Sequence, residues 1–312
     1  LGNGLALASG PQNLISDGDY GAVKVDHQFA DQRLGFLGVT FNVDNSSRST
    51  SALFPGYENA VGELSEKYVI STRHTSVLTP TALNEFVFGF TQSAPTGSIP
   101  QEEPDWKNFN GVDLRFSGFR ERMGELRYGD GIVEAGFPRD GTTNARNYFT
   151  FKDNLSLSRT NHTLKFGAEI NPMSYDRDAT GGSWNGVYQF QEFRRFLRGD
   201  VEQLEHDLLA GVPLAGGMVA DPVRAFYLSQ SKFAAYFQDN WKLRQSFTLN
   251  LGLRYEYMTL IEEANGKFSN LRNITDPVPE LGLRFTNPTT KMFSPRVGFA
   301  WSPGANNQNA IR

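Results

Sequence analysis

Apolar and polar side chains alternate along many segments of this chain. In residues 247–258 one parity is apolar and the other is polar or glycine; the two sets are Phe247, Leu249, Leu251, Leu253, Tyr255 and Tyr257 against Thr248, Asn250, Gly252, Arg254 and Glu256. Successive side chains of a strand point to opposite faces of a sheet. The segment therefore predicts a strand with one apolar face and one hydrated face.

The same period of two predicts nine strands and the start of a tenth. They are residues 20–29, 34–43, 67–77, 83–92, 147–157, 163–173, 231–242, 247–258 and 292–302, and the tenth begins at 310–312. Short connections (30–33, 78–82, 158–162, 243–246 and 302–309) alternate with long ones (44–66, 93–146, 174–230 and 259–291). This alternation is typical of an up-and-down meander with tight turns at one rim and large loops at the other.

We expect an all-β fold, an antiparallel up-and-down transmembrane β-barrel with long extracellular loops, of which this chain supplies about 9–10 strands. Every backbone polar group in lipid must be paired, so a spanning sheet must close. A large soluble antiparallel sheet with one hydrated face has the same alternation. The regular difference in loop length favours the barrel, because a soluble sandwich does not normally separate its loops in this way.

Composition narrows the functional classes. The net charge of −4 leaves no basic footprint for nucleic acid. The chain has no cysteine, which excludes disulfides and thiolate metal sites. Aromatic residues reach 13%, with 25 Phe and 11 Tyr. No apolar run approaches the roughly 18 residues that a membrane helix needs.

The barrel interpretation assigns faces to individual residues. The predicted lumen-facing charges are Lys152, Lys165, Glu169, Arg254, Glu256 and Arg296. The predicted interfacial aromatic girdle is Tyr148, Phe149, Trp241, Tyr255, Tyr257 and Trp301. An alternative reading of the girdle is that aromatic residues simply suit strands.

Asp153 and Asp239 break the pattern, because they share parity with the apolar Phe151 and Trp241. A charge facing lipid at the bilayer midplane costs about 2–4 kcal/mol for Arg or Lys and less for an acid. We therefore predict that both carboxylates lie at interface depth, near the rim of short turns.

Catalytic and metal-binding motifs are lacking in the sequence. His27, His74, His162 and His206 have no partner at ligand spacing, and there is no G-x-S-x-G or H-E-x-x-H. "GDGI" (129–132) is more typical of a turn than of a phosphate or calcium loop. We expect no enzyme activity, no catalytic residue, no metal and no cofactor.

An RGD tripeptide occupies residues 198–200. An adhesion motif is one interpretation. The other is a short loop helix that starts at Asp200 as N-cap and ends at Gly211, with Leu204 and Leu208 on one face. We favour the helix, on which His206 would be a solvated residue.

The long segment 93–146 is rich in aromatic and charged residues. Loops held on a rigid scaffold often carry binding residues. The candidates for ligand contact are Trp106, Phe109, Arg115, Phe119 and Arg120. For each of them, a solvated loop residue packed on its neighbours is the alternative.

Two hairpins repeat one pattern, F-x-D-N, a turn, then T-L-x-x-G, in "FKDNLSLSRTNHTLKFG" (151–167) and "FQDNWKLRQSFTLNLG" (237–252). These hairpins resemble the barrel of TonB-dependent outer-membrane receptors. "HTSVLTPTALNEFVFGFTQ" (74–92) and "FSPRVGFAWSP" (293–303) resemble other strands of those barrels. The combination is similar to the Oar-like branch, whose members carry a carboxypeptidase-regulatory-like N-terminal domain.

The resemblance covers most strands from about residue 20 to residue 312. The family's barrel has about 22 strands around a plug. We therefore expect residues 1–312 to be a central segment of one barrel domain, with plug and signal peptide absent.

The resemblance implies active import across the outer membrane of a Gram-negative bacterium. Its implied partners are outer-membrane lipid, the inner-membrane TonB complex acting through the plug, and a small-molecule, glycan or peptide ligand. Two alternatives stay open. One is a structural or adhesive outer-membrane protein or passive porin; the other is a soluble β-rich carbohydrate-binding module or enzyme.

Overall fold

The computed structural model of the chain describes residues 13–31, 33–50, 62–97, 106–108, 111, 113, 124–128, 133–135, 142–179, 186–205, 225–277, 279–282, 286, 289–303 and 311. The strands in these ranges are β1 (Leu14–Gln28), β2 (Phe36–Thr50), β3 (Gly62–Thr79), β4 (Ala82–Gly97), β5 (Glu125–Tyr128), β6 (Val133–Ala135), β7 (Thr142–Ser158), β8 (His162–Ala179), β9 (Val187–Phe190), β10 (Gln203–Glu205), β11 (Phe226–Arg244), β12 (Phe247–Met258), β13 (Glu262–Glu263), β14 (Ser269–Asn270), β15 (Glu280–Leu281) and β16 (Phe293–Trp301). The helices are a 3-10 turn at Trp106–Asn108 and α1 (Phe193–Arg198).

The nine long strands form one antiparallel sheet in the order β1-β2-β3-β4-β7-β8-β11-β12-β16. Each long strand pairs with the long strand before it in sequence, as an up-and-down meander requires. All nine predicted strands are present. The predicted tenth is represented by Ile311, whose backbone exchanges hydrogen bonds with Trp301 at 2.8 and 2.9 Å. The sheet is open, consistent with part of a larger barrel.

The paired register gives the sheet one continuous apolar face. Phe237, for example, lies between Phe166 and Leu253 on the two neighbouring strands. Rings meet across strands on this face, with centroids 5.2 Å apart for Phe166 and Phe237 and 5.3 Å apart for Phe88 and Phe151. Directly paired side chains of this kind stabilise a sheet.

No second layer of described residues covers the apolar face. Phe237 is 41% exposed and Leu253 is 45% exposed, although both lie on strands that are paired on both sides. The buried apolar side chains among the described residues are Val187, Phe190, Ala225 and Ala234, so no large side chain of this face is among them. A soluble sandwich would pack these rings against a second sheet. An uncovered apolar face is what a barrel wall presents to lipid.

A second, four-stranded sheet is built from two of the long connections, in the order β10-β9-β5-β6. Its β5 and β9 run parallel. Glu125 of β5 is fully buried and forms an ion pair through both carboxylate oxygens with Arg127, whose Nη2 lies 2.9 Å from Oε2. Val187 and Phe190 of β9 are also buried.

The helix predicted from Asp200 to Gly211 is wrong in its described part. The helix instead precedes Asp200: α1 ends at Gly199, which has φ +66° and donates its N–H to Phe196 at 2.9 Å. Residues 203–205 form β10, which pairs with β9. The RGD tripeptide is thus a helix end followed by an extended segment. His206 and Leu208 lie outside the described residues.

In the part of the chain described here, no helix is both long and apolar enough to cross a membrane.

Candidate functional site on the polar face

The face opposite the apolar one carries the charges that the sequence predicts to face the lumen. The register aligns Lys152 with Glu169, and Arg296 with Gly252 on the same parity as Arg254. Strand alternation places all six predicted lumen-facing residues, Lys152, Lys165, Glu169, Arg254, Glu256 and Arg296, on this polar face. Whether the face lines a lumen in the intact protein stays a prediction.

The charges on this face are unevenly paired. Glu256 accepts from Arg254 at 2.7 Å and lies 3.3 Å from Lys232, so two cations share one carboxylate. Farther along the sheet, Arg73 lies 3.7 Å from Glu85. Lys165 and Arg296 have no carboxylate within ion-pair distance among the described residues.

A hydrogen-bonded network joins four strands on the polar face. Tyr236 of β11 lies over Gly167 of β8 and donates its hydroxyl to Asn154 Oδ1 of β7 at 2.8 Å. Asn154 donates in turn to Glu85 of β4 at 3.2 Å. The sequence identified the F-x-D-N and T-L-x-x-G motifs, and the network shows what the Asn and the Gly of the first copy do. The Asn bridges strands, and the Gly leaves room for a ring.

We predict that Gly167→Ala costs the intact protein about 1–3 kcal/mol of unfolding free energy, the usual range for overpacking. A Cβ at Gly167 would overlap the Tyr236 ring and come within 2.8 Å of Asn154 Oδ1, so the ring must leave and its hydrogen bond is lost. The matched control is Gly252→Ala, the same position of the second motif. Its Cβ would meet the Phe237 carbonyl oxygen at 3.6 Å and Arg296 Cβ at 3.8 Å, which are ordinary contacts.

The measurement is chemical unfolding of the intact protein in phospholipid vesicles, followed by tryptophan fluorescence. Gly252→Ala should change the unfolding free energy by about 0.5 kcal/mol or less. Equal losses in the two variants would show that the Tyr236 ring does not depend on the space above Gly167.

A concave groove of about 550 Å³ opens over the polar face of β8, β11, β12 and β16. We call it the basic groove and define it by Lys165, Gln238, Gly252, Arg254, Arg296 and Gly298. The sequence predicted the faces of Lys165, Arg254 and Arg296 but not the groove. Its shape depends on register, which brings Gly252 beside Arg296 and Gly298 beside Asn250. The signal in the sequence that could have indicated the groove is the presence of glycine, at Gly252 and Gly298, among the alternate positions that are otherwise polar.

Five of the six predicted girdle residues share the apolar face. Trp241 and Trp301 pair with Leu249 and Phe247 close to the short turns. Phe149 pairs with Phe90, and Tyr255 and Tyr257 pair with Ala235 and Phe233. Their depth in a membrane stays a prediction.

Tyr148 departs from the girdle assignment. It follows the parity of Lys152 and pairs with Thr91 and Met173, so it lies on the polar face. The physical reason is strand alternation, since Tyr148 and Phe149 are consecutive and must point to opposite sides.

Both anomalous aspartates lie on the apolar face and toward the short turns, and both have polar partners. Asp239 Oδ2 lies 2.7 Å from His162 Nδ1, and the His162 ring stacks on Trp241 with centroids 5.2 Å apart. Asp153 accepts from Asn84 Nδ2 at 2.8 Å. His162 thus has a structural partner that spacing in sequence did not reveal. The depth of the two carboxylates stays a prediction.

Most candidates for ligand contact fall outside the described residues. Trp106 opens the 3-10 turn Trp106–Asn108, whereas Phe109, Arg115, Phe119 and Arg120 are not in the described ranges, and neither is "GDGI" (129–132). Within those ranges, no three His, Asp or Glu side chains come together in a way that could hold a metal ion.

Three titratable groups in the connections outside the long strands have shifted pKa values. Burial raises the pKa of Tyr188 in β9. The pKa of Asp276 is lowered, first by the Asn273 backbone N–H at 2.7 Å and then by the Asn273 side chain. Arg272 and Glu280 form a bidentate pair close to the β14–β15 pairing, and that pair raises the pKa of Arg272. The Asn273–Asp276 and Arg272–Glu280 contacts stabilise the turn between β14 and β15.

Comparison with known proteins decides the family. A family model described as an outer membrane beta barrel domain matches residues 3–312. The chain belongs to this family. Membership and the uncovered apolar face place this barrel segment in the outer membrane of a Gram-negative bacterium, in contact with its lipid.

Among solved structures, the chain is similar to the outer membrane transporter YddB from Escherichia coli, with a TM-score of 0.50 and 16% sequence identity. The similarity covers 93% of this chain and 30% of the YddB chain, and at this identity it supports the fold. The chain therefore spans less than a third of that transporter's length. A search of curated proteins found no match.

Proposed function

We propose that this barrel segment is part of the wall of an outer-membrane transport protein that imports a bound solute with energy from the inner-membrane TonB complex. The observation that carries the proposal is the two-sided sheet. One face is apolar and uncovered, the other carries ion pairs and the basic groove, and the connections alternate between short turns and long loops. Family membership and the structural similarity to the outer membrane transporter YddB support it.

In this proposal the polar face lines the lumen and the long connections bind the solute. The family resemblance of the repeated hairpins supports TonB dependence and the Oar-like branch. The wall has a passive role, because it encloses and orients a path and carries out no chemical reaction. We therefore propose a non-enzymatic function without a cofactor.

The first experiment measures solute depletion from defined medium by mass spectrometry. Cells that express the intact protein are compared with cells that lack it, and each strain is tested with and without TonB and a proton-gradient uncoupler. We expect one or more solutes to be depleted only when protein, TonB and gradient are all present. Depletion that persists without TonB and without the gradient would contradict energised import.

The second experiment separates transport from the alternatives. Purified intact protein is inserted into planar bilayers in potassium chloride. An energised importer with an occupied lumen should show no steady ohmic conductance, whereas a passive porin should give large stable steps. Absence of both conductance and solute depletion, together with lost surface attachment in the deletion strain, would favour the adhesive alternative.

A further inference from the structure

The basic groove contains a row of residues that crosses four strands. The register pairs Lys165 with Gln238, Gln238 with Gly252, and Gly252 with Arg296. Strands are about 4.8 Å apart, so the Lys165 and Arg296 backbones lie about 14 Å apart. Long side chains from both ends can therefore approach a small group held between them.

The surface of the sheet between these two cations, which we call the glycine floor, has no side chain at Gly252 or Gly298. At Gly252 the space that a Cβ would fill has no neighbour closer than 3.6 Å, and at Gly298 the nearest is Asn250 Cβ at 4.0 Å. Both glycines thus leave a depression where other residues would project. The volume of about 550 Å³ lies within the range of small-molecule sites, roughly 300–1,000 Å³.

The charge of this part of the wall opposes that of the whole chain. Between the Thr163 and Asn171 rows of β8, β11, β12 and β16, the polar face has a surplus of two positive charges. The four cations are Lys165, Lys232, Arg254 and Arg296, and the two carboxylates are Glu169 and Glu256. The chain as a whole carries −4. Such a concentration of one sign in a concave site attracts the opposite charge.

We propose that the basic groove is a binding site for a carboxylate- or phosphate-bearing solute, held between Lys165 and Arg296 over the glycine floor. The planar guanidinium of arginine can donate two hydrogen bonds to either group, and lysine adds a point charge. The groove lies toward the short-turn ends, three residues from the start of β8 at Lys165 and five from the end of β16 at Arg296. In a lumen it would hold an anionic solute near the periplasmic exit, and in this respect it rests on the proposed function.

The test is calorimetric titration of the intact protein in neutral detergent, at constant ionic strength, with sodium citrate and with inorganic phosphate. Trehalose is the uncharged control. We expect the anions to bind and trehalose not to bind. The double variant Lys165→Gln/Arg296→Gln should weaken anion binding about ten-fold or more, the effect of a lost charge-assisted hydrogen bond. Gly252→Leu should weaken it as well, without changing any charge.

The matched control is Lys152→Gln, which removes a cation from the same face outside the groove and should leave binding unchanged. Two results would overturn the proposal: no binding of either anion by the wild type, and equal weakening by Lys152→Gln. If the wild type binds no anion, a double variant that unfolds more readily would also identify the cause. That combination would mean that an acidic polypeptide segment fills the groove.

Binding in detergent needs neither TonB nor a gradient, so it can succeed or fail independently of energised import. Import of neutral solutes alone, with no anion binding, would contradict the groove proposal and leave the proposed function intact. Anion binding without energised uptake would support the groove proposal and contradict the proposed function.

Discussion

Replacing Gly35 with alanine should cost the intact protein about 2–5 kcal/mol of unfolding free energy, the sum of a left-handed backbone penalty and a steric overlap. Gly35 has φ +62° in the turn between β1 and β2. A Cβ there would overlap the Thr75 carbonyl oxygen of β3 and approach Ser76 Cα to 2.9 Å. Backbone atoms cannot rotate away as a side chain can, so the turn itself must move.

Moving the turn breaks other contacts. The Gly35 carbonyl accepts the Phe29 N–H at 2.9 Å and Gln28 Nε2 at 2.8 Å, and the Gly35 N–H donates to Asp31 at 3.1 Å. The His74 ring also contacts the Leu34 carbonyl at 2.8 Å through Nε2. The first three contacts close the turn and the His74 contact holds it against β3, so the loss should spread to the β2–β3 pairing.

The control is Gly266→Ala, which has nearly the same backbone conformation, φ +66°, with no atom within 4 Å of the added Cβ. It should cost about 1–2 kcal/mol, the conformational penalty alone. Unfolding in phospholipid vesicles measures both variants. If Gly35→Ala and Gly266→Ala lose the same amount, the steric overlap with β3 has no energetic consequence and the explanation of Gly35 is wrong.

The sequence predicted the strands best where one face contacts lipid, because every second residue must then be apolar. The predicted strand 247–258 has the same bounds as β12. Elsewhere the long-loop ends were underestimated: β8 was predicted to end at residue 173 and ends at Ala179, and β11 was predicted to start at residue 231 and starts at Phe226. In "SYDRDA" (174–179) both parities are largely polar, so the periodic signal disappears. The backbone ladder continues because the neighbouring strand still offers hydrogen-bond partners.

The structure of the loops and the groove could not be predicted from the sequence, for a different reason. Asp200 is a good helix N-cap, but Gly199 immediately before it ends α1 in the left-handed conformation. The pairing of β5 with β9 joins segments that are about 60 residues apart, which no local pattern encodes. The groove likewise depends on which residue faces which across three pairings. Period-two alternation identifies a face but not a neighbour.

The second large effect is expected from a charge placed on the apolar face. Ile70→Arg should cost the intact protein about 2–4 kcal/mol in vesicles, the range for arginine facing lipid near the bilayer midplane. Ile70 lies at the middle of β3, between Phe41 and Phe90. An arginine there has no carboxylate beside it and can reach water only by bending along the strand.

The adjacent Ser71 supplies the matched control, because it lies at the same depth on the other face. It pairs with Thr40 and with Gly89, whose missing side chain leaves room for a longer one. Ser71→Arg should therefore change the unfolding free energy by less than about 1 kcal/mol, because its guanidinium meets water. Strand propensities span only about 1 kcal/mol, so a difference of about 2 kcal/mol or more between the two variants exceeds what the replacement of isoleucine rather than serine explains.

The sign of that difference tests the assignment on which the fold and both proposals depend. If Ser71→Arg is the costly variant, the polar face meets the lipid and the basic groove cannot line a path. If both variants cost several kcal/mol, a second layer covers each face and the sheet is not a barrel wall. A large loss confined to Ile70→Arg, in protein that unfolds from phospholipid vesicles, is the result expected when the apolar face lies against acyl chains and the polar face against water.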